Sequence, residues 1–512
     1  MNKLKKLPIG KQTFKDVIDE GNLYIDKTQI ALNLIANFKY VFLARPRRFG
    51  KSLFLDTLKE LFEGNQPLFK GLYADKNYSW DQSYPVIHIS FSGGIHNKDD
   101  LTAELFSILD DNKQRLQVTC QSANNINLCF KELIANIYNK YQQKVVILID
   151  EYDKPILDNL NNISQALIIR DALRDFYTKI KDADRYIKFA FLTGVSQFSK
   201  VSIFSGLNNL EDITLNPQYG SICGYTQQDI ESQFIAYLKG VDLEKLKAWY
   251  NGYNFLGDKM YNPFDILLFI KNQHRYENYW FETGTPTFLV NLIQQKKYFL
   301  PHFKQIVVEQ NIINSFDIKN LAIETIMFQA GYLTIKTVQQ KRNRLIYRLD
   351  FPNLEVKQSF HDYLLNSWVN TTQKNTIADD LYDLFESGQI EQLEPIIKRL
   401  FASIAYTNHI KNNIAEYEGF YASVLYAYFA TLGLTIIAED ITSQGRVDLT
   451  LQTGNKTYIF EFKVTDEAPL KQIKEKRYFQ KYSGEVYIVG INFDRNERNI
   501  KQFVWEKIAV AD

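Results

Sequence analysis

Short, fully apolar segments alternate with amphipathic helical patterns through the first 215 residues, and this alternation constrains the fold more than any other feature. The apolar segments are rich in β-branched and aromatic residues, as expected for strands that are buried on both faces. Strands that alternate with helices predict an α/β domain built around a parallel sheet. The predicted strands are Tyr40–Ala44, Tyr84–Phe91, Val145–Ile149, Ile187–Thr193 and Glu211–Leu215.

A candidate phosphate-binding sequence, RPRRFGKS, lies between the first predicted strand and a predicted amphipathic helix. It ends in the G-K-S of the G-x-x-x-x-G-K-[ST] consensus, but Arg45 stands where that consensus has its first glycine. Such a turn presents main-chain N–H groups and a helix N-terminus to phosphate, while the lysine and the hydroxyl add contacts to phosphate and Mg²⁺. The position predicts a nucleotide-phosphate site. The predicted binding residues are Arg47, Arg48, Phe49, Gly50, Lys51 and Ser52, with Ser52 also a metal ligand.

The third predicted strand ends in two acidic residues, in the sequence VVILIDEYD. Asp150 would hold Mg²⁺, directly or through water, and Glu151 would orient or deprotonate the attacking water. Such a segment alone equally fits a buried strand that ends in a solvated acidic turn, but its place after the phosphate-binding sequence favours the nucleotide interpretation. Thr193, at the end of the fourth predicted strand, suits a residue that senses the γ-phosphate. A plain strand end is the alternative there.

A second group of charged residues lies in a predicted hairpin near the C-terminus. Asp448 is on its first strand, and Glu461 and Lys463 share one face of its second strand, because alternate residues of a strand share a face. Carboxylates on buried strands are unfavourable unless a divalent metal neutralises them, and an adjacent lysine can then assist phosphodiester cleavage. An ordinary hairpin with a solvated Glu–Lys pair is the alternative. The basic segment that follows, 471–481, fits either a nucleic-acid backbone or a solvated face.

The N-terminal motifs LPIGKQTF, LYIDKT, RPRRFGKS, LIDEYDKPI and FLTGVSQFS together resemble the bacterial AAA-ATPase-like family of P-loop proteins, in which the loop commonly reads RPRRFGKS. The resemblance implies that Lys51 and Ser52 bind phosphate and Mg²⁺, that Asp150 is the metal-side carboxylate and that Glu151 activates water. It continues through WYNGYNF, YNPFDIL, TGTPTFLV and FPNLEV. Tyr24, Asp26 and Lys27 match the family's YxDKT, for which we expect a fold-supporting hydrogen-bond cluster.

The C-terminal hairpin resembles the PD-(D/E)xK nuclease superfamily, whose domain frequently follows this type of ATPase. Asp448 matches the first acidic position and Glu461 and Lys463 match the E-x-K, while Val447 replaces the proline of the name. The resemblance implies that Asp448 and Glu461 are metal ligands and that all three residues are catalytic. Glu418, in YEGFY, matches the glutamate often found on the first helix, and is a further candidate ligand.

The middle of the chain is predicted to be mainly helical from about residue 218 to 330, as a lid on the ATPase, and to continue into a winged-helix-like region. Its basic turn, KRNR, is bracketed by two predicted strands, and its cations would touch phosphates as a wing or form a plain surface hairpin. Residues 366–384 are predicted to form a linker that leads into a helix. The predicted domains are 1–217, 218–370 and 371–512. The basic residues of the wing are Lys341, Arg342, Arg344 and Arg348.

Composition narrows the class of protein further. The 512 residues include 60 Lys and Arg against 59 Asp and Glu, which excludes a globally basic nucleic-acid binder but not a local basic surface. The three cysteines form no CxxC pair, so we expect neither a disulfide framework nor a zinc ribbon, and they fit a reducing, cytosolic compartment. The uncharged stretch 419–438 is long enough to span a bilayer, but Gly433 divides it into a predicted helix and a predicted strand. We therefore expect a cytoplasmic protein with no membrane partner.

The sequence as a whole predicts an ATP-binding and ATP-hydrolysing protein coupled to a metal-dependent nuclease. We expect Mg²⁺ as the metal, with Mn²⁺ as a substitute at the nuclease-like site, and nucleic acid as the partner, DNA first. The resemblance only loosely suggests a role in defence or in mobile-element processing. The alternative is a nucleotide-controlled switch whose C-terminal domain binds nucleic acid or protein without cleaving it. The sequence leaves the oligomeric state open.

Overall fold

The computed structural model divides into two compact units, Met1–Thr285 with Val307–Asn353, and Pro286–Ile306 with Leu354–Asp512. It describes residues 4–91, 93–122, 124–197, 203–204, 207, 209–280, 289–290, 292–293, 296, 298, 300, 303, 306–313, 317–318, 322–368, 371–404, 418–442, 445–464, 467–494 and 496–508. We call the two parts the first unit and the second unit.

The first unit begins with α1 (Phe14–Asp19), α2 (Thr28–Asn37), β1 (Tyr40–Ala44), α3 (Lys51–Phe62), α4 (Tyr73–Asn77), β2 (Val86–Ser90), α5 (Lys98–Leu116), α6 (Ile126–Tyr141), β3 (Val145–Asp150), α7 (Lys154–Leu157), α8 (Ile163–Asp182), β4 (Ile187–Gly194) and β5 (Glu211–Asp212). It continues with β6 (Tyr225–Thr226), α9 (Gln227–Asp229), α10 (Leu243–Tyr250), β7 (Asn251–Tyr253), β8 (Met260–Tyr261), α11 (Pro263–Lys271), β9 (Ile306–Glu309), α12 (Gln310–Ile313), α13 (Ile323–Ala330), β10 (Thr334–Lys341) and β11 (Arg344–Asp350).

The first unit is built on a five-stranded sheet in the order β2-β3-β4-β1-β5, and all its strand pairs are parallel. Every residue of β1 and β3 is buried, which explains why these strands read as unbroken apolar runs. The five predicted strands and the α/β fold are confirmed. Because β4 lies between β1 and β3, the carboxyl ends of these three strands meet at one edge of the sheet.

The middle of the chain contains more strand than its sequence pattern predicts. Strands β6, β8 and β7 form a small antiparallel sheet inside the region predicted to be mainly helical. The hairpin predicted around the basic turn is present as β10 and β11, with Arg342 and Asn343 at φ 47° and 63°, and β9 adds a third strand beside β11. Two residues with positive φ are typical of a type I′ hairpin turn.

The second unit contains α14 (Leu354–Trp368), α15 (Thr371–Ser387), α16 (Leu393–Ala402), α17 (Glu418–Thr431), β12 (Thr435–Thr442), β13 (Gly445–Thr453), β14 (Lys456–Lys463), α18 (Pro469–Lys476), β15 (Glu485–Asp494) and β16 (Asn499–Ile508). Its sheet has the order β12-β13-β14-β15-β16, in which only β14 and β15 pair in parallel. The linker predicted in 366–384 is wrong in its extent, because α14 runs to Trp368 and α15 begins at Thr371, but the helix predicted to follow it is present as α15. The polar start of α15 hid its helical character.

The uncharged stretch of the second unit forms most of α17 and the start of β12, as predicted. Gly433, at φ 74°, separates the two elements. The helix packs its aromatic side chains, including Tyr421, Tyr426 and Phe429, inside the unit. Among the residues that the structure describes, no helix combines the length and the apolar character needed to cross a bilayer.

The cysteines of the first unit differ from the sequence expectation. Cys120 and Cys129 form a disulfide, with their Cα atoms 5.2 Å apart, and Cys223 is a buried free thiol. The expectation of reduced cysteines is therefore wrong for this pair. The loop between α5 and α6 brings Cys120 next to Cys129 in the first turn of α6. The sequence spacing of nine residues does not show this proximity.

Candidate nucleotide and metal sites

The loop between β1 and α3 has the backbone shape that phosphate binding requires. Arg48 and Gly50 both have positive φ, at 66° and 92°, and Gly50 is the N-cap of the twelve-residue α3. The first N–H groups of α3 therefore lack intrahelical acceptors and lie at the positive end of the helix dipole. This arrangement favours an anion in front of Lys51 and Ser52.

Arg45 shows why the loop does not need the first consensus glycine. Its side chain is 1% exposed, and its guanidinium donates to the carbonyl oxygens of Thr214 at 2.8 Å and Tyr219 at 3.1 Å, and lies 4.0 Å from the ring centre of Phe255. Burial lowers the pKa of Arg45 to about 10. The side chain thus anchors the base of the loop to neighbouring segments.

The next loop residues divide between anchoring and exposure. The Phe49 ring is buried 4.8 Å from the ring of Tyr253, so only the main chain of Phe49 is left for phosphate. Arg47 and Arg48 are exposed, and the Arg48 guanidinium lies 4.9 Å from the ring centre of Phe264. Two cationic side chains therefore stand free of the core beside the loop.

Lys51 is buried within its own loop. Its ammonium donates to the carbonyl oxygens of Arg45 and Pro46, both at 3.0 Å. Burial lowers the pKa of Lys51, while the nearby charges of Asp150 and Glu151 oppose that shift. The loop lysine and the two acidic residues of β3 are thus brought together, as the sequence predicted.

The acidic end of β3 is organised by its neighbour β4. The Thr193 hydroxyl donates to the Asp150 carboxylate at 2.5 Å, and both side chains are buried. Glu151 has φ 52°, and its pKa is raised by burial and by the like charge of Asp150. A carboxyl group with a raised pKa close to a phosphate-binding loop suits proton transfer from water.

A cavity of about 350 Å³ opens in front of the loop. The predicted residues Arg47, Arg48, Gly50, Lys51, Ser52 and Glu151 line it, whereas Asp150, Thr193 and Phe49 do not. The volume lies within the range of small-ligand pockets. The opposite walls come from residues for which the sequence predicted no binding role, although all but Tyr225 lie in the motifs LPIGKQTF and YNPFDIL. They are Pro8, Gly10, Lys11, Gln12, Tyr225, Pro263, Phe264 and Leu267.

The carboxylates of the second unit converge where two strands separate. The β13–β14 pairing ends at Leu449 and Phe460. Beyond that pair, the Asp448 carboxylate accepts the Phe462 main-chain N–H at 2.8 Å. Glu461 is fully buried, and the Lys463 ammonium lies 2.8 Å from its carboxylate. The predicted Asp448, Glu461 and Lys463 therefore meet at one end of the hairpin.

Asp448 is held in an environment that disfavours its charge. Burial raises the pKa of the Asp448 carboxyl, and the Phe462 N–H and the Lys463 charge partly oppose this. Oxygen donors of this type fit Mg²⁺ or Mn²⁺, and a bound cation would stabilise the ionised form. Within the part of the chain that the structure describes, no group of three or more His, Cys, Asp or Glu is placed to hold a metal. The Glu418 side chain lies outside the described residues.

Comparisons with known proteins match both regions. The family described as "Predicted AAA-ATPase" matches residues 8–204, and the PD-(D/E)XK nuclease superfamily matches residues 416–503. The chain is also 46% identical, over 98% of its length and 99% of the relative's, to the "Uncharacterized protein in vnfD 5'region" of Azotobacter chroococcum mcd 1.

The chain belongs to the AAA-ATPase-like family and carries a C-terminal PD-(D/E)XK nuclease superfamily domain. Every residue predicted for the nucleotide site of this AAA-ATPase-like protein, from Arg47 to Thr193, lies inside the first matched region. The predicted nuclease residues, from Glu418 to Lys463, lie inside the second. The family prediction from the sequence is confirmed.

Two acidic residues near these sites were missed by sequence reasoning in this AAA-ATPase-like protein. Asp153 accepts hydrogen bonds from the Ser196 N–H at 2.6 Å and the Ser196 hydroxyl at 2.5 Å, and so fixes the segment after β4. Glu439 has φ 47°, lies 3.0 Å from Arg446 and raises the pKa of Asp448 through its charge. Asp153 is the third acidic residue of LIDEYD, so its place beside Asp150 and Glu151 could have marked it as a candidate. No sequence pattern marked Glu439.

The YxDKT motif of this AAA-ATPase-like protein forms the expected hydrogen-bond cluster. The Asp26 carboxylate accepts the Thr28 N–H at 2.8 Å and the Tyr73 N–H at 2.7 Å, and Lys27 pairs with Asp229 at 3.0 Å. These bonds join α2 to α4 and to α9. The fold-supporting interpretation is confirmed.

The basic segment after β14 is partly neutralised within the nuclease-like domain. Lys471 lies 3.9 Å from Glu475, Lys474 pairs with Glu506, and Lys481 pairs with the buried Asp440. The first two pairs are exposed and contribute little stability, but all three lower the net positive charge that the segment offers to a polyanion. This favours the solvated-face interpretation for much of the segment.

Proposed function

We propose that the protein hydrolyses ATP at the β1–α3 loop and cleaves nucleic acid at the hairpin of the second unit. The observation that carries the proposal is the convergence of Asp448, Glu461 and Lys463 on one hairpin end. The proposed domains remain 1–217 for the ATPase core, 218–370 for the lid and wing-like middle, and 371–512 for the nuclease-like part.

At the nucleotide site, the roles follow from charge and position. The α3 N-terminus and Lys51 would bind the phosphates, with Arg47 and Arg48 beside them and the main chains of Phe49 and Gly50 in the loop. Ser52 and Asp150 would hold Mg²⁺, and Thr193 would fix Asp150 and sense the γ-phosphate. Glu151 would orient and deprotonate the attacking water, for which its raised pKa is suited.

At the second site, Asp448 and Glu461 would hold the divalent ion, with Glu418 as a further candidate ligand. A bound ion would supply charge stabilisation to the phosphodiester under attack. Lys463, next to Glu461, would position the attacking water and stabilise the developing negative charge. The buried environment strengthens these interactions, since the local dielectric is low.

The proposed substrate is nucleic acid, with DNA as the first candidate, and the proposed setting is the cytoplasm. A role in defence or in mobile-element processing rests only on the resemblance. ATP and Mg²⁺ are the proposed cofactors, with Mn²⁺ as a substitute at the second site. These assignments rest on the residue types at the two sites and on the two matched families.

One observation favours the alternative, a switch that binds without cleaving. Glu461 and Lys463 already form an ion pair, so a metal ligand is engaged by the residue that would assist catalysis. If that pair persists when the protein binds its partner, the hairpin would act as a docking surface for nucleic acid or protein.

Cleavage of plasmid and single-stranded DNA by the purified protein separates the two functions. We expect cleavage that depends on Mg²⁺ or Mn²⁺ and is removed by chelation. The experiment is run with and without ATP, because a difference in cleavage rate would show that the nucleotide site and the nuclease site are coupled. A wild-type protein that binds DNA but never cuts under any of these conditions contradicts the nuclease and supports the switch.

A further inference from the structure

The β10–β11 hairpin carries a concentrated positive charge in a chain that is nearly neutral overall. Between Leu333 and Arg348 there are five Lys or Arg residues and no Asp or Glu. Arg344 is paired with Glu309 at 2.9 Å. The turn residue Arg342 and its flanking partners Lys341 and Arg348 are exposed. This local charge is the kind of surface that a polyanion recognises.

Three cations of the hairpin, Lys341, Arg344 and Arg348, share one face. Lys341 is paired with Arg344, and Thr337 with Arg348, so these side chains project from the same side of the two strands. On the other side, the buried Tyr347 and Leu349 attach the hairpin to the first unit. Arg344 and Arg348 are four residues apart, or about 13 Å along the strand. That spacing spans several phosphates of one nucleic-acid strand.

The segment that leads into the hairpin is packed directly against the phosphate-binding loop. Gly331 has φ 93°, and a Cβ atom there would lie 2.7 Å from the Cβ of Pro46. The next residue, Tyr332, has its ring 5.2 Å from that of Trp280, whose indole N–H donates to the Arg47 carbonyl oxygen at 3.2 Å. Gly331 therefore contacts the loop directly, and Tyr332 contacts it through the Trp280 side chain.

A second connection reaches the end of β4. The Gln329 side-chain oxygen accepts the Gln197 main-chain N–H at 3.0 Å, and its amide donates to the Ile313 carbonyl oxygen at 3.0 Å. Gln329 is nearly buried on α13, which ends just before Gly331. Gln197 lies four residues after Thr193, which bonds Asp150. A shift of the β4 end would thus be passed to α13 and to the hairpin.

We propose that the β10–β11 hairpin binds the phosphodiester backbone of nucleic acid, and that the nucleotide at the β1–α3 loop controls this binding through Gln329 and Gly331. The inference rests on the proposed function, since it takes ATP and nucleic acid as the ligands. It adds the surface that holds the nucleic acid and the segment that transmits the nucleotide state. The Lys51 ammonium donates to the Pro46 carbonyl oxygen, and Gly331 packs against Pro46. A phosphate that draws Lys51 away would therefore change the contacts of Pro46 and, through it, those of Gly331.

Fluorescence anisotropy with labelled DNA and RNA duplexes of one sequence tests the surface. The variant is Lys341→Gln/Arg342→Gln/Arg348→Gln, and the control is Lys15→Gln/Lys70→Gln/Lys76→Gln, which removes the same charge from exposed positions of the same unit. We expect the slope of log affinity against log salt to fall by about 2.7 in the hairpin variant, since each lost phosphate contact contributes about 0.9. The control should keep the wild-type slope.

Equal slopes in the hairpin variant and the wild type would overturn the proposal, and so would tighter binding of polyglutamate than of DNA. The latter would assign the surface to an acidic protein partner. Tighter binding of either duplex, DNA or RNA, to the wild type than to the hairpin variant supports the proposal.

The nucleotide control is tested by repeating the titrations with ADP and with a non-hydrolysable ATP analogue. We expect the wild-type affinities in the two states to differ by about fivefold or more. Gln329→Met, which removes both hydrogen bonds of that side chain, should remove most of that difference, while the Lys15→Gln/Lys70→Gln/Lys76→Gln control should keep it. An equal difference in wild type and Gln329→Met would overturn the control mechanism.

ATP turnover and DNA cleavage are measured on the same preparations, so that two kinds of failure can be separated. A wild type that neither hydrolyses ATP nor cleaves DNA contradicts the proposed function. A wild type that does both, together with a hairpin variant that binds DNA equally well, contradicts the hairpin proposal alone.

Discussion

The two candidate sites are built in different ways. The nucleotide site is shaped by the backbone, in a loop with two positive-φ residues ahead of a helix N-terminus, and the buried side chains of Arg45 and Phe49 anchor it. The second site consists of side chains at the end of one hairpin, where Asp448 and the Glu461–Lys463 pair converge. The first surrounds a defined cavity, whereas the second gathers charge at the end of a strand pair.

The difference shows which substitutions each site tolerates. The loop can lose its first consensus glycine because the Arg45 side chain does not point towards the phosphate position. It is buried against the Thr214 and Tyr219 carbonyl oxygens and anchors the loop there. A site made only of charged side chains has no such substitute, since its chemistry resides in the atoms that would be removed. We therefore expect the second site to be the more sensitive of the two to single substitutions.

The largest expected effect is in the second site. Lys463→Ala should reduce DNA cleavage by about 10²–10³-fold, because it removes a charge that stabilises the transition state. ATP turnover measured on the same sample should not change. The matched control is Lys456→Ala, at the other end of β14, where the ammonium donates to the Glu386 carbonyl oxygen. Cleavage that falls equally in both variants would contradict the assignment.

The next largest effect on activity is in the nucleotide site. Lys51→Ala should lower ATP turnover by about 10²-fold, since it removes the buried cation of the loop. Lys70→Ala, an exposed position in the same unit, serves as the control in a steady-state phosphate-release assay. If nucleotide binding and turnover survive Lys51→Ala, the loop is not the ATP site.

Stability separates the anchors from the exposed loop residues. Arg45→Ala should lower the free energy of unfolding of the first unit by about 4 kcal/mol, because it leaves buried carbonyl oxygens without donors and opens a cavity. Arg47→Ala should change it by less than about 0.5 kcal/mol, since that side chain is exposed. Hydrogen exchange of peptides from β1 and β4 measures both. Similar losses in the two variants would show that Arg45 is not an anchor.

The smallest effect concerns the disulfide, which only the first unit contains. Reduction should lower the free energy of unfolding of that unit by about 2.5 kcal/mol, as expected for a loop closed over about ten residues. The second unit has no cysteine and should be unaffected, which hydrogen exchange of β14 and β15 peptides can verify. Identical exchange of β1 peptides with and without a thiol reductant would show that the Cys120–Cys129 bond contributes nothing.

Much of the fold could be predicted because its strands are buried on both faces. The run YVFLA followed by G-K-S was enough to predict β1, the loop and α3, and VVILID was enough for β3. The small sheet of β6, β7 and β8 could not be predicted, because its strands are two or three residues long and lie among aromatic side chains. The start of α15 was predicted too late because its first turns are polar.

The sites could be predicted less completely. The chemistry-bearing residues could be named because Asp150 stands at a predicted strand end, and Asp448 and the E-x-K stand on the two strands of a predicted hairpin. The cavity walls at 8–12 and 263–267 could not, because they are more than 200 residues apart in the chain and meet only through the fold. Glu439 could not be found either, since its position beside Asp448 involves a positive φ that the sequence does not show.

Binding of Mn²⁺ to the nucleotide-free protein tests the central claim, that the second unit holds a metal-dependent centre. Calorimetric titration of the full chain carrying Asp150→Asn, which removes the proposed carboxylate ligand of the ATP site, should show an ion-binding event. Adding Glu461→Gln should abolish that event, and adding Glu386→Gln, also in the second unit, should not. An ion-binding event that survives Glu461→Gln unchanged, or no event in the Asp150→Asn protein, would contradict the account.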